Sequence, residues 1–306
     1  MEEILIVDNI SKHYNDFTLK DISFTLPKGY IMGYIGQNGA GKTTTLNLIT
    51  GMCKSDSGTI TINGETCSKN PIAYKKSIGY IGDSSYFPVT MKIKEIRTIL
   101  KNFYPDFDKD KFDQRVSEWN LPVNKKIADF SRGMKVKLMF AAVFARDTKL
   151  LILDEATNGL DTVMRADILK LLQEYIADGE RSVLFSTHIL SDLEQIADYI
   201  FFINDGKKIL YDMKDEILEN FLLVKGDLNE IDQNLTKELI GIEKNQFGFE
   251  AILPTDKATL LSKNFILEKP NIDQIVIHYI RDIQSKQKWG ETFLWEHFTF
   301  YKLIEW

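Results

Sequence analysis

The chain has 306 residues, 44% of them apolar and 27% charged, with a formal net charge of −6. That length holds one large domain plus a smaller one, and the acidic balance argues against a broad nucleic-acid-binding surface. The two cysteines, Cys53 and Cys67, lack zinc-ligand spacing and form no disulfide framework; no positively charged leader opens the chain, and no uncharged apolar run approaches the ~20 residues of a membrane span.

Ile4–Val7 is a β-rich run, and Ile22, Phe24 and Leu26 alternate with Ser23 and Thr25 at the period of a half-buried strand. Tyr30–Ile35 predicts a short apolar strand running straight into a glycine-rich loop, and from Thr43 to Ile49 the pattern turns helical. Ile60 and Ile62 lead into Asn63-Gly64, a hairpin signal. Residues 90–148 are helical in composition. Leu150–Leu153, Val183–Phe185 and Tyr199–Ile203 are short apolar runs, separated by helical stretches such as Ala166–Ile176 and Ser191–Ala197. Such alternation predicts a parallel sheet covered on both faces.

The acidic cluster Asp212, Asp215, Glu216 and Glu219 marks a break. Beyond it, Phe247-Gly248-Phe249-Glu250 and Asn271–Ile283 carry the strand and helix signals of a small α/β domain. The tail 285–306 holds Trp289, Trp295 and Trp306, with Glu291, Glu296, Lys302 and Glu305 interspersed. It is too short and too charged to span a bilayer. Its aromatics suit packing on the chain itself, docking on a partner, or contact with a membrane interface. The reading is three segments: 1–216, 217–284 and 285–306.

Gly36-Gln37-Asn38-Gly39-Ala40-Gly41-Lys42-Thr43 matches the phosphate-loop pattern between a strand and a helix. Glycines let the backbone curl so that successive N–H groups face phosphate oxygens, and the helix starting near Lys42 adds its positive end. Lys42 reaches the β- and γ-phosphates, Thr43 ligates Mg²⁺, and Thr44 donates to the α-phosphate. Downstream, the apolar strand Leu150–Leu153 ends in Asp154 and Glu155. Strand ends of a parallel sheet line the ligand crevice, so both acids are expected beside the nucleotide, pointing opposite ways as neighbours on an extended chain do. Asp154 is assigned to Mg²⁺ and Glu155 to the attacking water as general base.

Over about 1–215 the chain resembles the ABC ATPase family. Phe130-Ser131-Arg132-Gly133-Met134 looks like its signature motif, Asn158-Gly159-Leu160-Asp161 like its D-loop, and Ser186-Thr187-His188 like its switch histidine. Tyr14 stands where the family stacks an aromatic on adenine. The resemblance implies a P-loop core of mainly parallel sheet, with an antiparallel β subdomain, a helical subdomain over 90–148 and a small C-terminal α/β accessory domain. It also implies Mg²⁺-dependent ATP hydrolysis at the cytoplasmic face of a membrane, with two ATPase subunits beneath a separate permease. Ser131, Gly133 and Asp161 of one subunit would serve the nucleotide of the other, and His188 would contact the γ-phosphate.

Three positions depart from the family pattern. Asp83 stands where a glutamine usually offers a neutral carbonyl to metal and water; the shorter, charged aspartate would touch the metal through water, and a carboxylate there resembles a subgroup of two-piece exporters for drugs and antimicrobial peptides. Arg132 and Met134 replace the usual second glycine and glutamine, and Arg132 would bring a positive group near the partner's phosphates. The competing readings are a soluble ABC ATPase acting on ribosomes or DNA, and a nucleotide-gated clamp that scarcely hydrolyses. The first would carry paired cassettes or long coiled-coil insertions, which this chain lacks.

Overall fold

Two long strands open the chain, β1 (Glu3–Tyr14) and β2 (Phe17–Pro27), paired antiparallel. Their register sets Leu5 opposite Leu26 and Val7 opposite Phe24, so the predicted alternation becomes one buried apolar face. Next come β3 (Ile31–Ile35), α1 (Lys42–Ile49), β4 (Ser57–Ile62), β5 (Glu65–Thr66), α2 (Pro71–Lys76) and β6 (Ile78–Ile81). Asn63 and Gly64 join β4 to β5 with φ of 49° and 78°, the pair of positive values that a tight two-residue hairpin requires. The first sheet runs β2-β1-β4-β5.

Helices α3 (Ile93–Phe103), α4 (Lys109–Glu118) and α5 (Arg132–Phe144) follow, then β7 (Leu150–Asp154), α6 (Thr162–Ile176), β8 (Ser182–Ser186), α7 (Leu190–Ile196), β9 (Tyr199–Asn204) and β10 (Lys207–Met213). The second sheet runs β10-β9-β3-β8-β7-β6 and is parallel except where β10 meets β9. Every residue of β3, β7 and β8 is buried, which explains their predominantly apolar sequence. The two sheets share a core in which the Tyr34 and Phe201 rings stack 4.9 Å apart and Phe24 lies 4.7 Å from Phe201. Because the five parallel strands point the same way, the loops leaving β3, β6, β7 and β8 gather at one edge.

The computed structural model describes residues 2–288 apart from 247 and 263, and the chain divides between Lys214 and Asp215 into two units. The division falls within the acidic stretch near 212–220, where β10 leads directly into α8 (Lys214–Glu219). In the second unit, β11 (Phe221–Gly226), α9 (Gln233–Glu238), β12 (Ile240–Asn245), β13 (Gly248–Pro254), β14 (Ile266–Glu268) and α10 (Ile272–Lys288) build an antiparallel sheet of order β12-β13-β11-β14 with its helices. Val224, Phe249, Leu253 and Phe265 are among the residues of its own small core. The aromatic tail with Trp289, Trp295 and Trp306 lies outside the described residues, as does Phe247. Among the described residues no helix is long and apolar enough to cross a membrane.

Candidate nucleotide site

The loop from Gly36 to Gly41 depends on missing side chains. A Cβ on Gly36 would come within 2.6 Å of the Ile203 carbonyl oxygen, pushing the loop away from β9. Gly41, at the N-cap of α1, has φ of 110°, and a Cβ there would also meet Phe17 at 2.9 Å. No side chain caps α1, so its first N–H groups remain available to an anion. By contrast, α5 and α6 are capped by Ser131 and Asp161, whose oxygens accept the N–H groups of Met134 (3.2 Å) and Met164 (2.9 Å).

A cavity of about 820 Å³ opens beside this loop, lined by Gly36, Gln37, Asn38, Thr43, Asp83, Asp154, Glu155, Asn158 and His188. Lys42 is buried at its base and donates to the Gly36 carbonyl at 2.6 Å and the Gln37 carbonyl at 3.3 Å. Its ammonium also lies 3.5 Å from Glu155 Oε1. The other oxygen, Glu155 Oε2, is held by Asn158 Nδ2 at 2.9 Å and faces His188 Nδ1 at 2.8 Å. Three elements therefore converge on one carboxylate: the phosphate loop, the turn after β7 and the loop after β8.

Asp154 and Glu155 do not point opposite ways. The strand ends at Asp154, and Glu155 adopts φ of 55°, a left-handed conformation that turns the chain and leaves both carboxylates on the cavity. The alternation rule fails because it applies only to extended backbone. Burial raises the Asp154 carboxyl above the usual carboxylate range, and the adjacent Glu155 charge adds to the rise. Tyr80, Lys42 and Thr43 oppose it. The Tyr80 hydroxyl donates to Asp154 Oδ2 at 3.4 Å, and burial pushes that phenol up to about 12.

Asp154 Oδ1 is buried without a hydrogen-bond partner, an arrangement that calls for an ion or water. Among the described residues no group of three His, Cys, Asp or Glu side chains converges to enclose a metal. Mg²⁺ is commonly held by one or two protein oxygens with water and phosphate completing its shell, and the unpartnered Asp154 Oδ1 is one oxygen that fits such a site. Thr43 and Asp154 present such oxygens on the same cavity wall.

The remaining predicted residues sit apart from the cavity lining. Tyr14, at the end of β1, is half-exposed, with the Lys12 ammonium 5.9 Å from its ring centre. Asp56 braces that strand end, accepting from Lys12 Nζ and the His13 N–H at 2.7 Å each, and Lys12 first among these contacts holds its carboxyl well below the usual range. Ser131, Gly133, Met134 and Asp161 lie where the N-termini of α5 and α6 approach: a Cβ on Gly133 would meet Met164 Sδ at 2.8 Å. Arg132 forms an ion pair with Asp83 of its own chain and packs over Gly159.

Sequence reasoning assigned no role to Tyr80, placed Asn158 in the D-loop without its contact to Glu155, and missed a buried network behind the site. Asp192 on α7 is 2% exposed, accepts from Thr157 Oγ1 at 3.4 Å and lies 3.9 Å from Arg165 Nη1. Arg165 also reaches the Leu160 carbonyl at 3.5 Å, so the segment after Glu155 is tied to the helix after His188. No spacing rule reveals contacts between residues 35 or 27 positions apart.

A family model described as ABC transporter matches residues 19–158. The chain is 35% identical over 207 residues to the ABC transporter ATP-binding protein YtrB of Bacillus subtilis strain 168, an alignment covering 68% of this chain and 70% of that protein. The chain belongs to the ABC transporter ATP-binding family. This ABC ATPase is also 32% identical to the bacitracin transport ATP-binding protein BcrA of Bacillus licheniformis, across 68% of itself and 69% of that protein. A solved ATP-binding subunit of an ABC transporter superposes with a TM-score of 0.65 at 28% identity, covering 71% of this chain and 92% of the other. As a member of this family the protein is an ATP-binding, ATP-hydrolysing transporter subunit. The P-loop ABC core expected from the motifs is the fold it has.

Proposed function

We propose that this ABC ATPase powers export of a drug or antimicrobial peptide through a separate permease, at the cytoplasmic face of the membrane. It works as one of two ATPase subunits. Each nucleotide is held by the Lys42 loop of one subunit and the Ser131 end of α5, with Gly133 and Asp161, of the other. Residues Gly36 to Thr44 cradle the phosphates, Lys42 reads the β- and γ-phosphates, and Tyr14 stacks on adenine. Thr43 and Asp154 hold Mg²⁺, which when bound neutralises phosphate charge. Residues 217–284 act as an accessory, regulatory domain.

The observation that carries the reading is the grip on Glu155. Asn158 and His188 engage one oxygen while the other faces Lys42, at the edge of the phosphate-loop cavity. A base for water attack must be fixed in orientation yet face the γ-phosphate, and the Asn158 and His188 contacts at the cavity edge support that role for Glu155. His188 is the group that orients the water and the phosphate. The similarity to a bacitracin transport ATP-binding protein supports the substrate class, and the acidic net charge disfavours ribosomes or DNA.

Two measurements test the proposal. Lys42→Ala should abolish tight ATP binding; unchanged affinity would overturn the loop assignment. Affinity purification from solubilised membranes should recover an integral membrane protein in stoichiometric amount. Recovery of ribosomes or DNA instead would sink the transport reading.

A further inference from the structure

Two of the residues at which the chain departs from its family's pattern, Asp83 and Arg132, are 49 positions apart yet form an ion pair within one subunit. Asp83 lies just past β6 and lines the nucleotide cavity with Asp154 and Glu155. Arg132 is the first residue of α5, and its guanidinium also covers Gly159, where a Cβ would stand 3.5 Å from Nε. Three carboxylates thus border the site, and the Lys42 ammonium reaches one of them, Glu155, at 3.5 Å. A neutral glutamine at position 83 would leave two.

We infer that Arg132 is a positioning residue that cancels the Asp83 charge and anchors the loop after β6 to the start of α5, so that a carboxylate can occupy a place that otherwise suits a neutral amide. The inference rests on the Mg²⁺ nucleotide reading of the cavity. Unpaired, the Asp83 carboxylate would compete for the cation and draw it from the Thr43 and Asp154 oxygens. Paired, it contributes no net charge and ties the cavity wall to the helix end that would serve a partner's nucleotide. The pair is accessible to solvent, with side chains 41% and 59% exposed, so the coupling is modest and weakens with salt.

The test is a double-mutant cycle in the full-length protein, reading Mg²⁺ dependence of fluorescent ATP-analogue binding and the hydrolysis rate separately. In Arg132→Gln the freed carboxylate should lower the Mg²⁺ concentration for half-maximal binding about threefold and slow hydrolysis by roughly fivefold, the scale of one partly exposed charge pair. Arg132→Lys keeps the charge and should restore most of both values. Asp83→Gln introduced into Arg132→Gln should return both toward the parent, because the neutral pair needs no compensation. Additive effects, or an unmoved Mg²⁺ midpoint in Arg132→Gln with a normal unfolding temperature, would overturn the inference. Lys42→Ala separates the two layers: if it still binds the analogue tightly, the nucleotide reading itself fails, whatever the cycle shows.

Discussion

Each unit of the protein contains a histidine facing a carboxylate, and the two pairs behave differently. In the first unit His188 lies 2.8 Å from Glu155, with 58% of its side chain exposed on the nucleotide cavity. In the second, His278 on α10 lies 3.3 Å from Glu250 on β13, is 1% exposed, and has its other ring nitrogen 2.7 Å from the Gly241 carbonyl. Gly241 itself has φ of 65°, and a Cβ there would strike the His278 backbone at 1.9 Å, so strand and helix meet with no room between them. The chemical groups match, yet only the first pair keeps an open face toward a cavity. Function follows from what is left open to a cavity, while a buried histidine held from both ring nitrogens is a device for packing.

The comparison can be broken in four ways. The largest effect is expected for Glu155→Gln, which should slow phosphate release by about 10³-fold, or ~4 kcal/mol of barrier, while retaining ATP binding. Equal rates would remove Glu155 from the role of base. His278→Ala should cost about 2–3 kcal/mol in the second unit, seen as lost hydrogen-exchange protection in β12 and α10, with hydrolysis unchanged. A fall in hydrolysis without loss of protection would give the second pair a functional role and end the contrast.

His188→Ala should slow hydrolysis by about tenfold or more and leave the unfolding temperature near the parent's, because an exposed side chain contributes little to packing. The smallest effect sharpens the idea that unsatisfied groups cost stability. Burial raises the Asp154 carboxyl, so its ionised form is disfavoured in the folded chain. A raised carboxyl pKa contributes stability at low pH that is lost as pH rises through the folded value. Asp154→Asn should therefore raise the nucleotide-free unfolding temperature at pH 7 by about 2 °C. The gain should shrink below about pH 4, where an ordinary carboxylate is protonated. A lower unfolding temperature at pH 7 would show that Asp154 is stabilising without its ligand.

Much of this was legible from the chain. Short-range patterns locate the phosphate loop, because a strand, a run of glycines and a helix follow each other within a few residues and obey local rules. The apolar runs at β7, β8 and β9 likewise announce a sheet buried on both faces, and the D-loop and signature segments are contiguous strings. The same methods went wrong where local rules lapse. The extended-chain argument sent Asp154 and Glu155 in opposite directions, whereas the left-handed turn at Glu155 keeps both on the cavity. By contrast, the acidic stretch read as a break does fall where the chain divides into two units, although it also carries the end of β10 and α8.

The amino-acid sequence by itself determined where the phosphate-loop pattern lies and which stretches must be buried, since both show in neighbours close along the chain. Only the tertiary structure decided the partners: Tyr80 with Asp154, Asn158 and His188 with Glu155, Arg132 with Asp83, and His278 with Gly241 and Glu250. Most of these contacts join residues far apart in sequence, brought together where parallel strands end on a common edge or a helix seats on a sheet. Their physical cause is the burial of apolar strands, which fixes the backbone first and leaves polar side chains to find whichever partner the packing delivers.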